Sequence, residues 1–214
     1  FGRDIPAGFL CYPAAQAADI TAFKATVVPV GEDQAPLIEQ TNEIVRRINA
    51  TAGHSVLPEA RAIIPSAGRL PGIDGKAKMS KSGGNAIALS ASPEEIRSAV
   101  RAMFTDPNHL RVEDPGCIEG NVVFTYLDAF DQDQDGLAKL KAQYQRGGIG
   151  DGKIKARLEA ILQELIAPIR ERRAQFSADR GYIIDVIKEG TERARERTEA
   201  TKRDVVSALG LFQL

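Results

Sequence analysis

Ala25-Thr26-Val27-Val28-Pro29-Val30-Gly31-Glu32-Asp33-Gln34 is the stretch that decides the fold. Its first six residues are short, apolar and rich in β-branched side chains, which predicts a buried strand. A glycine and three polar residues follow at once, and Pro36 then opens a helix reaching to about residue 49. Leu37, Thr41, Ile44, Val45 and Ile48 form one stripe of that helix. Strand, glycine, polar residues and helix, in that order, hold nucleotides at the carboxyl edge of a parallel sheet. Gly31 lets a ligand approach the backbone, and Asp33 is placed to accept from ribose hydroxyls. The same turn by itself fits many α/β proteins.

Upstream, Tyr12-Pro13-Ala14-Ala15-Gln16-Ala17-Ala18-Asp19-Ile20 reads as a helix starting near Pro13 and running to about residue 22. Tyr12 and Asp19 lie two turns apart and can face one pocket. Asp19 is then either an ordinary surface acid or a carboxylate in an apolar pocket, costly there unless an N–H donor reaches it. Downstream, Lys78-Met79-Ser80-Lys81-Ser82 crowds two lysines and two serines between glycine-rich flanks. Two ammonium groups three residues apart, with hydroxyl donors beside them, suit the clustered oxygens of a polyphosphate. The bland alternative is a basic surface loop.

The K-M-S-K-S string resembles the signature of class I aminoacyl-tRNA synthetases. The succession Y-P-x-x-Q-A-A-D-I, V-P-V-G-E-D-Q and K-M-S-K-S resembles the tryptophanyl-tRNA synthetase family, with specific similarity over about Gly8 to Asn85. The tyrosyl type is the nearest relative and shares the loop signature, but G-E-D-Q and A-A-D-I favour the tryptophanyl type. The resemblance implies ATP-dependent ligation of L-tryptophan to tRNA(Trp) through tryptophanyl-adenylate. It implies that Asp19 accepts the indole N–H and that Tyr12 and Gln34 hold the α-ammonium. Gly31, Glu32 and Asp33 match the ATP-contacting stretch, and Leu70 matches a position near the adenine. Lys78, Met79, Ser80, Lys81 and Ser82 match a mobile loop closing over ATP. Lys78 and Lys81 are the implied catalytic groups, neutralising charge on the α-phosphate and pyrophosphate. Mg2+ is expected on the ATP phosphates, with no metal site in the protein.

The implied fold is α/β: the C-terminal part of a Rossmann-like nucleotide-binding domain (1–90), followed by an α-helical tRNA (anticodon)-binding region (91–214). The family carries an N-terminal half with a histidine-containing ATP motif, and nothing before Gly8 matches it. The chain is therefore expected to be the C-terminal portion of a longer synthetase, inactive alone and a homodimer at full length. His54 and His109 do not sit in such a motif and are read as surface or packing residues. A non-catalytic paralogue or fragment that binds tRNA or dimerises is the alternative from another functional class.

Composition adds bounds. The chain has 214 residues, with 28 basic and 29 acidic side chains, so no overall basic field marks a nucleic-acid partner. Cys11 and Cys117 lack CxxC spacing and read as reduced, buried thiols of a cytoplasmic protein. No apolar run approaches membrane-spanning length. Beyond the signature and the short apolar segment 86–89, the pattern is helical. Ser92-Pro93-Glu94-Glu95 predicts a capping box ahead of the stripe Ile96, Ala99, Val100 and Met103. A second helix is predicted near 121–130. A long one follows, containing Ile154, Leu158, Ile161, Leu162, Leu165, Ile166 and Ile169, with a kink at Pro168. The last runs from Ile183 to Leu209. Arg193, Arg195 and Arg197 alternate there with Glu192, Glu196 and Glu199, as a solvated face or as a contact for tRNA phosphates.

Overall fold

The computed structural model describes residues 4–65, 70–76, 79 and 83–212. They form two compact units, Phe1–Gly68 with Gly181–Leu214, and Arg69–Arg180. The fold is α/β, a partial Rossmann-like arrangement accompanied by a helical unit. These packing units do not follow the 1–90 and 91–214 division expected from sequence. That division concerns roles rather than compactness.

The first unit starts with helix α1 (Ala7–Ala22), strand β1 (Val27–Pro29), a 3-10 turn (Glu32–Gln34) and helix α2 (Ala35–Ala52). Strand β2 (Arg61–Ile63) then pairs parallel to β1, Val28 opposite Ala62. This βαβ arrangement is the one the Ala25–Gln34 stretch predicts. Its second strand is only three residues long and carries no sequence signal of its own. Two asparagines of α2 explain its place. The buried Asn42 amide exchanges hydrogen bonds with both backbone groups of Ala60, at 2.9 and 2.8 Å. Asn49 accepts from the Val56 and Leu57 N–H groups and donates to the Leu57 carbonyl. The chain leading into β2 is thus tied to α2 independently of the strand pairing. A small core of Ile20, Ile38 and Ala60, with Val28 and Ala62 against it, lies under the sheet. Val27 and Ile63 are exposed, so β1 is only partly buried, contrary to the sequence expectation.

Helix α1 begins at Ala7 rather than near Pro13, and Pro13 lies inside it. Proline marks a first helical turn only statistically; here Pro6 provides the start, its carbonyl accepting from Phe9 N–H at 2.9 Å. The helix closes with Lys24 in a left-handed conformation at φ 49°. Such a backbone costs a side-chain-bearing residue about 1–2 kcal/mol. Hydrogen bonds from Lys24 N–H to Thr21 and Ala25 N–H to Ile20 offset it. The Lys24 ammonium also meets Asp204 at 2.8 Å and holds that carboxyl below its ordinary pKa. Asp204 lies on helix α7 (Arg180–Ala208), which has a single buried residue, Thr201, along its length.

The second unit packs helices α3 (Pro93–Ala102), α4 (Val122–Phe130), α5 (Gln134–Arg146) and α6 (Asp151–Ser177) around one core. The capping box is present: Ser92 Oγ accepts from Glu95 N–H at 3.2 Å, and Ser92 N–H donates to Glu95 at 2.7 Å. Ile154, Leu158, Leu162 and Ile166 recur every fourth residue along α6 and are all buried. Each such side chain removed from water contributes roughly 1.5–3 kcal/mol. The helix continues through Pro168. Helix α5 was not expected from sequence. Tyr144 at its end donates to Asp151 at 2.8 Å, while Thr105 also donates to that carboxylate and His109 Nδ1 lies 3.1 Å from it. Burial pushes the Asp151 carboxyl up, but those hydrogen bonds outweigh it and hold it below its ordinary value. His109 packs its ring on Tyr144 at 4.5 Å. Cys11 and Cys117 are unpaired, as expected, but exposed rather than buried. Glu119 accepts from the Cys117 thiol and raises its pKa.

Candidate functional site

The sequence-selected residues that the structure describes fall in both units. In the first unit, Tyr12, Gln16 and Asp19 occupy successive turns of α1, spaced so that they share one face. Tyr12 and Asp19 are both exposed, so Asp19 is not enclosed by this chain's own residues. Gly31-Glu32-Asp33-Gln34 lies just past the carboxyl end of β1, with Gly31 as N-cap of the 3-10 turn. Its φ of −69° is open to any residue. An added Cβ would lie 2.8 Å from Asp33 Oδ1, so a side chain here would turn that carboxylate aside.

An amide ladder connects this turn to α1. Gln16 Nε2 donates to Gln34 Oε1 at 3.4 Å, and Gln34 Nε2 donates to Asp33 Oδ2 at 3.2 Å. Gln16 Oε1 is buried and has no hydrogen-bond partner among the described residues. A buried orphan acceptor is costly and calls for a donor. Sequence reasoning passed over Gln16. The available signal was its place between Tyr12 and Asp19 on the same helical face.

In the second unit, Leu70 and Met79 both pack against the helical core. Lys78, Ser80, Lys81 and Ser82 lie outside the described residues. Hydrogen bonds connect the flanks of the signature. Ile73 N–H donates to the Asn85 carbonyl at 3.0 Å, Asn85 Nδ2 donates to Asp74 Oδ1 at 3.0 Å, and Gly72 N–H donates to the Lys76 carbonyl at 3.0 Å. The Asn85 hydrogen bond, foremost, with the Lys76 N–H and ammonium, lowers the Asp74 pKa against the opposing effect of desolvation.

The incoming limb is fixed to the core by Phe104 N–H to the Ile73 carbonyl at 2.8 Å and Tyr126 Oη to the Pro71 carbonyl at 2.9 Å. Burial raises the Tyr126 hydroxyl to about 12. A raised folded-state pKa gives stability that is complete below the unfolded value near 10 and is lost as pH rises toward 12. Tyr126→Phe should therefore cost about 1 kcal/mol at neutral pH, from one lost hydrogen bond. It should also remove about 1.4 kcal/mol per pH unit from the fall in stability between pH 10 and 12. Denaturant unfolding at neutral and alkaline pH measures both; an unchanged alkaline slope would contradict the assignment.

Among the described residues, no group of three or more His, Cys, Asp or Glu side chains could hold a metal ion, and no helix is long and apolar enough to cross a membrane.

Comparison with known proteins accounts for these features. The profile of the family described as tRNA synthetases class I (W and Y) matches residues 1–167. A protein of Clostridium longisporum named tryptophan–tRNA ligase is 55% identical over 213 residues, covering 99% of this chain and 62% of the relative. A protein of the same name from Streptococcus pneumoniae is 54% identical, covering 99% of this chain and 63% of the relative. The chain thus spans less than two thirds of the length of these relatives. Among solved structures, the tryptophanyl-tRNA synthetase of Campylobacter jejuni complexed with ADP and tryptophan superposes with a TM-score of 0.71 at 26% identity. That match covers 98% of this chain and 65% of the other. The Mycoplasma pneumoniae enzyme gives a TM-score of 0.71 at 22% identity, covering 98% and 63%, and attests the fold alone. The βαβ unit with its G-E-D-Q turn, the A-A-D-I helix face and the profile match agree: the chain belongs to the class I tRNA synthetases of the W and Y type.

Proposed function

We propose that this chain serves ATP-dependent charging of tRNA(Trp) with L-tryptophan. Its similarity to proteins named tryptophan–tRNA ligase over 99% of its length carries the reading. The arrangement of Tyr12, Gln16 and Asp19 on one face of α1 supports it.

The tryptophan carboxylate attacks the α-phosphorus of ATP; a new P–O bond forms, the bond to the β-phosphate oxygen breaks, and pyrophosphate leaves. Proton transfer is a minor demand in this step, and positioning with charge stabilisation is the major one. Asp19 accepts the indole N–H, a role that a hydroxyl-bearing substrate could also fill. Tyr12 and Gln34 hold the α-ammonium, and the orphaned Gln16 Oε1 is a further acceptor for it. Gly31 and Glu32 border the nucleotide, Asp33 takes the ribose hydroxyls, and Leu70 lies against the adenine. Lys78 and Lys81 offset charge on the α-phosphate and departing pyrophosphate, with Met79, Ser80 and Ser82 completing the signature. Magnesium is carried by the ATP phosphates. A ribose hydroxyl at the tRNA 3′ end then attacks the adenylate carbonyl and displaces AMP.

In this reading 1–90 belongs to the catalytic domain and 91–214 to the tRNA-binding region. Exposed Arg193, Arg195 and Arg197 are available to RNA phosphates. A cytoplasmic homodimer is the working form proposed. Charging of tRNA by the full-length protein, measured with labelled tryptophan and labelled tyrosine in parallel, tests the reading. Tryptophanylation supports it; tyrosylation alone would replace it with the tyrosyl type, which shares the family profile.

A further inference from the structure

We infer that Gln16 couples the two substrate sites: its side-chain amide joins helix α1, read as the tryptophan side, through Gln34 to Asp33, read as the ribose side. The inference deepens the proposed function and rests on it.

The polarity of the chain of hydrogen bonds starts at the acid. A carboxylate only accepts, so Gln34 presents its Nε2 to Asp33 Oδ2, at 3.2 Å. That turns Gln34 Oε1 toward α1, where it accepts from Gln16 Nε2 at 3.4 Å. Gln16 Oε1 is thereby sent to the far side of its amide, buried and without a partner among the described residues. Turning the Gln16 amide over would bring two carbonyl oxygens together at Gln34. The orphaned acceptor on α1 is thus set by a carboxylate on another element.

A ligand N–H at Gln16 Oε1 completes the chain at its α1 end. It satisfies the orphan, fixes the Gln16 amide and, through Gln34, holds the Asp33 carboxylate by Oδ2. Asp33 Oδ1 lies beside Gly31, where an added Cβ would be only 2.8 Å away, and is left to meet ribose hydroxyls. Without that donor the buried acceptor is costly, and the chain is held less firmly. Occupancy at one end therefore lowers the cost of ordering the other. Such a coupling is a free energy shared by the two sites, and it is reciprocal.

The test uses the full-length protein and calorimetry of tryptophan with and without α,β-methylene-ATP, whose α–β bridge cannot be cleaved. In the wild type the analogue is expected to tighten tryptophan binding by about fivefold or more, and tryptophan to tighten the analogue by the same factor. Gln16→Met keeps the length of the side chain but removes both amide groups. Gln16→Glu keeps acceptor oxygens for the ligand but removes the N–H that Gln34 accepts. Both should bring the factor to within about twofold of one, and Gln16→Glu should do so while still binding tryptophan. The Gln16 side chain makes a single hydrogen bond among the described residues, so melting curves of both variants should stay near that of the wild type. A wild-type factor near one, or coupling kept by both variants, would overturn the inference. Coupling kept by Gln16→Glu but lost in Gln16→Met would make Gln16 a ligand contact only, and would overturn it too. Failure of the underlying reading is distinguishable, since the wild-type protein would then bind no tryptophan.

Discussion

Lys81→Ala in the full-length protein is expected to lower the turnover of ATP–pyrophosphate exchange by on the order of a hundredfold or more, while tryptophan affinity stays near the wild-type value. The asymmetry follows from when the charge is needed. In the ground state the ATP phosphates are hydrated and accompanied by magnesium, so one more cation adds little. As the P–O bond to pyrophosphate breaks, negative charge gathers on the leaving oxygens, and a preorganised ammonium stabilises that state preferentially. Equal, small effects on turnover and affinity would mean that the signature only covers the nucleotide.

The second large effect concerns selection. Asp19→Asn should weaken tryptophan activation by about 1.5–3 kcal/mol in kcat/KM, roughly ten- to a hundredfold. The amide still offers a carbonyl to the indole N–H, but it loses the charge and brings N–H donors where none is wanted. The Asp19 side chain is exposed and makes no hydrogen bond or ion pair with the described residues. Thermal stability should therefore move little, which separates a binding loss from a folding loss. Steady-state exchange kinetics with tryptophan, alongside a melting curve, read both; an unchanged kcat/KM would remove Asp19 from the site.

The elements legible in the sequence are those whose signal is local. The Ser92–Glu95 capping box announced α3, and the four-residue spacing of Ile154, Leu158, Leu162 and Ile166 announced α6. Strand β2 is only three residues long, too short for a periodicity, and it is placed by Asn42 and Asn49 from another element. Helix α5 opens on Asp133, Gln134, Asp135 and Gly136, which reads as a turn; its order comes from Leu137 and Tyr144 entering a core built by other helices. Both cysteines are exposed, against the sequence expectation, because exposure depends on the packing around them and not on residue type.

The site shows the same division. Motif order identified Asp19, Asp33 and the signature lysines as candidates. The Gln16–Gln34 hydrogen bond spans 18 positions and the Asp74–Asn85 hydrogen bond 11, and only the folded chain displays them. Pairwise contacts of this kind leave no periodic trace in a single sequence.

The most direct test of the central claim is amino-acid-dependent ATP–pyrophosphate exchange by the full-length wild-type protein, with tryptophan and tyrosine compared at equal concentration. The account predicts robust exchange with tryptophan and little with tyrosine, since Asp19 and the G-E-D-Q turn are read as the indole-selecting and ATP-side elements. Exchange driven by tyrosine, or none with either amino acid, would contradict it.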